Sequence, residues 1–233
     1  MSDVKVLPIP VRMGPMTVMV YALIGDRVVI VDTGVGGQAE RILERIAEEG
    51  HAPGDVSLIL LTHGHGDHAG SAAVLREATG APIALGAGDE EKCVAGVDRE
   101  MRARGLVGRT LLDMMRRRQA RNGRTAGPEA DIVIRGEFPL DGFGVDAVAV
   151  PMPGHTRGSL AIFTASGDAL VGDLLGGGGR TRSEPKRGVF VCDEDAMTAS
   201  IRGVIARGPR LTYTGHDGQP FTLEQLKSAF GEG

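Results

Sequence analysis

The stretch Thr62-His63-Gly64-His65-Gly66-Asp67-His68-Ala69-Gly70, set directly after the apolar run Ser57-Leu58-Ile59-Leu60-Leu61, restricts this chain more than any other. A short apolar run that feeds a glycine-rich loop reads as a buried strand whose tip opens into a cleft. Neutral imidazole nitrogens and carboxylate oxygens are what a borderline cation such as Zn²⁺ takes as ligands. His63 and His65, two apart on extended backbone, project to one side and so can reach one ion. The glycines at 64, 66 and 70 let the backbone turn Asp67 and His68 back toward the same place, where a second ion could sit. Asp67 also stands where a helix over residues 69–79 should begin, so its carboxylate is expected to cap that helix. The bland alternative is a solvated histidine-rich loop of the kind that short motifs produce by chance.

The remaining histidines strengthen the case. Three of the six lie in this loop, while His155 and His216 each follow an apolar, strand-like segment with a glycine immediately before them. Asp173 ends a similar run, Asp168-Ala169-Leu170-Val171-Gly172. Ligands carried on several strand tips can converge on one cleft, because a packed sheet holds its strand ends rigidly. Singly each is weak, since a strand-terminal Asp is usually a turn residue and a lone His a satisfied polar group.

With 233 residues, 42% of them hydrophobic, and a formal charge of −4, the chain is expected to form a single domain over 1–233 around one substantial core. Met1-Ser2-Asp3-Val4-Lys5 lacks a basic region followed by an apolar stretch, so the expected location is the cytoplasm, and no membrane partner is expected. Cys93 and Cys192 stand far from any paired spacing and read as idle or buried thiols. Strands are expected over 17–24 and 27–31, joined by a hairpin at Gly25-Asp26, and over 57–61, 82–85, 132–134, 145–150, 160–164, 169–171 and 211–214. Helices are expected over 38–49, 69–79, 193–206 and 223–230; in the first, Ile42, Leu43 and Ile46 share a face before Gly50 and Pro53 stop it. Strands followed by helix in each half suit an α/β (α+β) sandwich of two mixed sheets with helices on the outer faces.

Residues 98–125 interrupt this order with nine arginines against three acids, and they read as an inserted helical pair. Its methionines, leucines and arginines could form a lid over an apolar, anionic substrate, but a solvated helix or a homodimer contact is the favoured reading. The run Arg116-Arg117-Arg118 is confined to this insert, and the net acidity argues against phosphate tracking and so against a nucleic-acid partner. Gly34-Val35-Gly36-Gly37-Gln38-Ala39 formally fits a dinucleotide turn, but the acidic residue expected after a second strand is missing, and the turn reads better as the exit from a loop around Asp32. Gly176 to Gly179 lacks a following Lys-Ser or Lys-Thr pair, so it is no phosphate loop and reads as a flexible rim of the cleft.

The HxHxDH loop after a strand, then a His, an Asp and a final His at strand ends, resembles the metallo-β-lactamase superfamily of hydrolases over nearly the whole chain. The segment Val28-Val29-Ile30-Val31-Asp32-Thr33-Gly34 is similar to the family's early strand, whose Asp braces the metal loop. The resemblance implies the αββα sandwich, a first metal on His63, His65 and His155, a second on Asp67, His68 and His216, and Asp173 between them. It implies two divalent ions, zinc first, with iron or manganese as alternatives. A two-metal site lowers the pKa of a shared water to about 7, so that hydroxide can attack a polarised acyl carbonyl. Asp67 is then the candidate catalytic residue, orienting the water or passing its proton to the leaving group. The implied substrate is a small molecule with an ester-like bond, a thioester or a lactone, as in glyoxalase II-type thioesterases and acyl-homoserine lactonases. Departures bear on that choice. Only 17 residues follow His216, too few for a glutathione-gripping helical domain, and Leu174 and Leu175 stand where such lactonases often carry a Tyr. The rival from another reaction class is a mononuclear iron persulfide dioxygenase of the same fold, using His63, His155 and Asp173. A phosphodiesterase or nuclease ranks below both.

Overall fold

The computed structural model describes residues 3–14, 16–90, 101–122, 127–178 and 184–231; Cys93, Gly179 and the ends of the expected insert, 98–100 and 123–125, lie outside them. The chain opens with an antiparallel pair, β1 (Lys5–Met13) and β2 (Met16–Ile24), and continues through β3 (Val28–Val31), α1 (Ala39–Ala47), β4 (Val56–Leu61), the short helices α2 (Gly66–Ala69) and α3 (Ala72–Thr79), and β5 (Ile83–Gly86). After β6 (Arg102–Ala103) and α4 (Gly105–Asn122), β7 (Ile132–Ile134) completes a six-stranded sheet in the order β1-β2-β3-β4-β5-β7. The second half supplies β8 (Phe138–Pro139), β9 (Ala147–Pro151), β10 (Leu160–Thr164), β11 (Asp168–Leu170), the hairpin β12 (Leu175–Gly178) and β13 (Glu184–Arg187), β14 (Phe190–Val191), α5 (Glu194–Arg207), β15 (Leu211–Tyr213), β16 (Phe221–Thr222) and α6 (Leu223–Phe230). Six of these strands form a second sheet, ordered β16-β15-β11-β10-β9-β8. Both sheets are mixed: β3, β4, β5 and β7 run parallel beside the antiparallel β1 and β2, and β11 and β15 run parallel in an otherwise antiparallel sheet.

Strand alternation builds the layers. Along β2, Val18, Val20 and Ala22 face α1 and α3, meeting Ile42, Ile46 and Leu75, while Met19, Tyr21 and Leu23 face the other sheet. Within the second sheet, Leu160 and Ile162 face the first, and Ala161 faces Met197, Ile201 and Leu226 of α5 and α6. The result is the expected αββα sandwich, and each fully buried Leu, Ile or Val on these faces contributes roughly 1.5–3 kcal/mol. A bulge tunes the strand that matters most. Between β3 and β4 the register passes from Val28↔Val56 to Val29↔Leu58, leaving Ser57 as the extra residue, with its hydroxyl 3.1 Å from Val28 O and 2.6 Å from Phe143 O. The insertion shifts the phase so that Leu58 and Leu60 point between the sheets and Leu61 toward the helices.

Four expectations need correction. The helix over 69–79 is two helices, because Gly70 N–H donates to Gly34 O at 2.9 Å instead of continuing the helical ladder, and only a glycine fits there, since a Cβ would collide with Val35 and Gly36. Asp67 therefore lies inside α2 instead of capping a helix, and the N-cap position falls to His65, which makes no side-chain cap bond. The described part of the insert is one helix preceded by a two-residue strand, in place of a helical pair. Gly176 to Gly178 form strand β12 against β13, not a loop. A strand over residues 5–13 went unforeseen. Its prolines, Pro8 and Pro10, are tolerated because β1 pairs on one side only. No described helix is long and apolar enough to cross a membrane.

Candidate metal centre

All seven sequence-predicted ligands meet at one end of the sandwich. β4 delivers His63 and His65, α2 carries Asp67 and His68, the loop after β9 carries His155, the turn Gly172–Leu174 after β11 carries Asp173, and the loop after β15 carries His216. The ring centroids of His63 lie 4.6 Å from those of both His65 and His155 and 4.1 Å from that of His68. His155 Nε2 is 3.0 Å from His65 Nδ1. Asp173 sits in the middle, with Oδ1 3.4 Å from His68 Nε2 and Oδ2 3.2 Å from His216 Nε2 and 3.7 Å from His155 Nε2. Asp67 Oδ2 approaches from the outer side, 3.6 Å from His216 Nε2 and 3.9 Å from His68 Nε2.

A frame behind the site orients these groups. Asp32, at φ 60 the one described non-glycine residue with positive φ, aims its carboxylate at the loop. It accepts from Thr62 N–H at 2.7 Å, from the Thr62 hydroxyl and, through Oδ2, from His68 Nδ1–H at 2.8 Å. The Thr62 hydroxyl then lies 3.0 Å from His63 Nδ1. His155 Nδ1–H donates to Phe190 O at 2.9 Å, and His216 Nδ1–H to Thr17 O at 3.1 Å. Tied at Nδ1, His63, His68, His155 and His216 all present Nε2 inward, the arrangement that metal-ligating imidazoles adopt. Gly215 is required here by space: a Cβ would collide with Asp173 Oδ1 and lie 2.7 Å from His68 Cε1.

The electrostatics divide the cluster. Burial holds the His63 imidazolium well below the usual histidine range, helped by His68 and His155, and burial with His155 holds His65 down to about 3. Burial also acts to lower His68 and His216. For His68 it is outweighed by Asp173, Asp32 and Asp67, which raise it to about 10, and for His216 chiefly by Asp173, which raises it to about 9. Burial would raise the Asp173 carboxyl, but His216 and His68 hold it well below the usual carboxylate range.

The donor set fits divalent cations on its own chemistry. His63 Nε2, His68 Nε2 and Asp173 Oδ1 are buried without a hydrogen-bond partner, although a buried lone pair normally finds one. Three groups present ligand atoms within 4.8 Å of one another: His63, His65 and His155; His63, His68 and Asp173; and Asp67, His68 and His216. Residues 12–218 match the sequence profile of the Metallo-beta-lactamase superfamily. The chain belongs to that superfamily. It is 30% identical over 169 residues to hydroxyacylglutathione hydrolase GloC of Haemophilus influenzae, covering 72% of this chain and 69% of that protein. It is 28% identical over 225 residues to "Probable metallo-hydrolase YqgX" of Bacillus subtilis, covering 94% and 95%. Among solved structures, a metallo-beta-lactamase family protein from Thermus thermophilus superposes over 98% of this chain and 78% of that one, with a TM-score of 0.67 at 24% identity. Both relatives are named as hydrolases, and the clustered candidate ligands agree with metal-dependent hydrolysis.

Sequence reasoning missed part of the frame. Asp89 is a buried carboxylate that accepts from Gly64 N–H, between His63 and His65, while the buried Asp217, next to His216, accepts from Gly177 N–H of β12 and from the Thr214 hydroxyl; neither lies in a recognisable motif. Of the insert, Met101 and Leu112 are buried while Leu106 and Met114 are exposed, so only part of its apolar set packs against the fold.

Proposed function

We propose that this protein is a dinuclear metal-dependent hydrolase that cleaves an ester-like acyl bond, a thioester ahead of a lactone, in a small-molecule substrate. The observation that carries the reading is the meeting of seven donors in two trios, His63, His65 and His155 against Asp67, His68 and His216, with Asp173 between them. The hydroxyacylglutathione hydrolase relative supports the thioester, and the ligand set supports zinc. The chemistry divalent ions supply in such a place is Lewis-acid polarisation of an acyl carbonyl and a water acidified to a pKa of about 7.

The chain's own residues supply the rest. Asp32 accepts the Nδ1 proton of His68 and so keeps its Nε2 lone pair turned inward, and Phe190 O does the same for His155. Asp173, almost walled in, holds a carboxylate between the trios and offsets cationic charge there. Asp67 is a quarter exposed on the outer side of the cluster, where its Oδ2 can take a proton from the attacking water and return it to the departing oxygen or sulfur.

The test is a substrate panel of acyl thioesters, lactones and phosphodiesters assayed on the zinc-loaded full chain, with oxygen uptake on a persulfide measured beside it. Thioester or lactone turnover that stops on metal removal and returns on reloading supports the reading. Oxygen uptake with one iron per chain would establish the dioxygenase instead.

A further inference from the structure

Asp89 lies three residues beyond β5, outside every ligand group, and is fully buried. Its Oδ2 accepts from Gly64 N–H at 3.0 Å and from the Thr156 hydroxyl at 2.6 Å, and its Oδ1 accepts from Gly158 N–H at 3.0 Å. Gly64 is the residue between His63 and His65, and Thr156 directly follows His155. One carboxylate thus spans two loops far apart in sequence that carry three converging imidazoles. Thr156 is fixed in turn by Ser159, which accepts from Thr156 N–H at 3.0 Å and whose hydroxyl lies 2.8 Å from Thr156 Oγ1. The same loops meet backbone to backbone: a Cβ on Gly158 would sit 2.5 Å from Gly86 O and 2.7 Å from Asp89 Cβ, so nothing but hydrogen fits there.

We propose that Asp89 is a positioning residue that sets the His63, His65 and His155 trio and, with it, the affinity of one of the two metal positions. The inference rests on the dinuclear reading above. Three donors converge on this carboxylate, and a charged acceptor makes shorter and stronger bonds than a neutral one. An asparagine of the same shape would keep one acceptor oxygen and turn an amide donor toward a donor. The effect is selective because of where the bonds go. Asp32 touches His68 directly and reaches His63 through Thr62, so it serves both trios, whereas the bonds that Asp89 accepts from Gly64, Thr156 and Gly158 go to the loops of the first.

The experiment titrates the metal-stripped full chain with Zn²⁺ against a chromophoric competitor and with Co²⁺ followed by visible absorption. Two binding events are expected in the wild type, and His155→Ala identifies the one belonging to the first trio. Asp89→Asn should weaken that event by roughly 10–100-fold, the scale of losing an outer hydrogen-bond partner of a metal ligand. The other event should stay within a factor of about 2, as for an independent site. Thr156→Val should weaken the same event, and Thr156→Ser, which keeps the hydroxyl, should restore it. If Asp89→Asn does not fold, the Val and Ser pair at 156 decides alone: no difference between them overturns the proposal. Equal loss of both events in Asp89→Asn, or loss of neither, also overturns it. A wild type that takes fewer than two ions sinks the dinuclear reading and this inference together, whereas two ions in the wild type with unselective variants sinks only the role of Asp89.

Discussion

The two trios use similar side chains under opposite electrostatic conditions. His63 and His65 are buried among other imidazoles, and burial leaves them neutral with lone pairs ready for a cation. His68 and His216 are ringed by Asp173, Asp67 and Asp32, and without metal they hold protons instead. The contrast teaches that carboxylates in a metal site are not neutral scaffolding: they favour whichever cation is available, a proton or a metal ion. On the dinuclear reading proposed above, the first position is preformed and the second would exchange protons for metal.

The comparison can be broken most severely at the residue the trios share. Asp173→Ala should lose metal from both positions and lower hydrolysis by at least ~10³-fold, the upper range for removing a charge-stabilising group; retention of either ion at full affinity would separate Asp173 from that position. Gly215→Ala should weigh more on the second trio, because the nearest neighbours of its Cβ are His68 and the Asp173 oxygen that faces His68. Competitive zinc titration should find the second event weakened more than the first. For Asp67→Asn, kcat should fall by about 10²-fold, the scale of a lost general acid or base. Its metal content by elemental analysis should fall proportionately less, and equal falls would make Asp67 a plain ligand.

The smallest effect is the most specific to the electrostatic contrast. The ordinary histidine pKa is ~6.5. As pH falls below that value, unfolding lets His63 and His65 take up protons that the folded chain refuses, so their contribution to stability declines. As pH rises above it, the folded chain retains protons on His68 and His216 that the unfolded chain has released, so the stability they lend is lost progressively up to about 9 and about 10. These four groups therefore give the metal-free protein a stability maximum near pH ~6.5. Zinc loading should remove the alkaline decline. Tm measured across pH 4–10 with and without zinc checks both, and an alkaline slope that survives loading would contradict the assignment of His68 and His216.

Much of this was legible in the chain before any coordinates. Leu160–Thr164, Ile132–Ile134 and Leu223–Phe230 are apolar or amphipathic runs whose bounds match the expected ones, and the candidate ligands stand out because metal chemistry permits few residue types at few spacings. What stayed hidden was set by tertiary contact. The alternation of Leu7, Ile9 and Val11 is present in β1, but Pro8 and Pro10 disguise a strand that only its edge position makes acceptable. The break between α2 and α3 depends on Gly70 meeting Gly34 and Gly36 across the fold. Asp89 looks like an ordinary surface acid in Gly88-Asp89-Glu90, and its role exists only because β4, β5 and β9 bring three loops together.

Elemental analysis of the full, untagged chain after equilibration with excess zinc and removal of loose metal tests the central claim most directly. The account predicts two zinc ions per chain in the wild type, and one when His155→Ala removes the first trio. A wild type that retains one ion or none would contradict it.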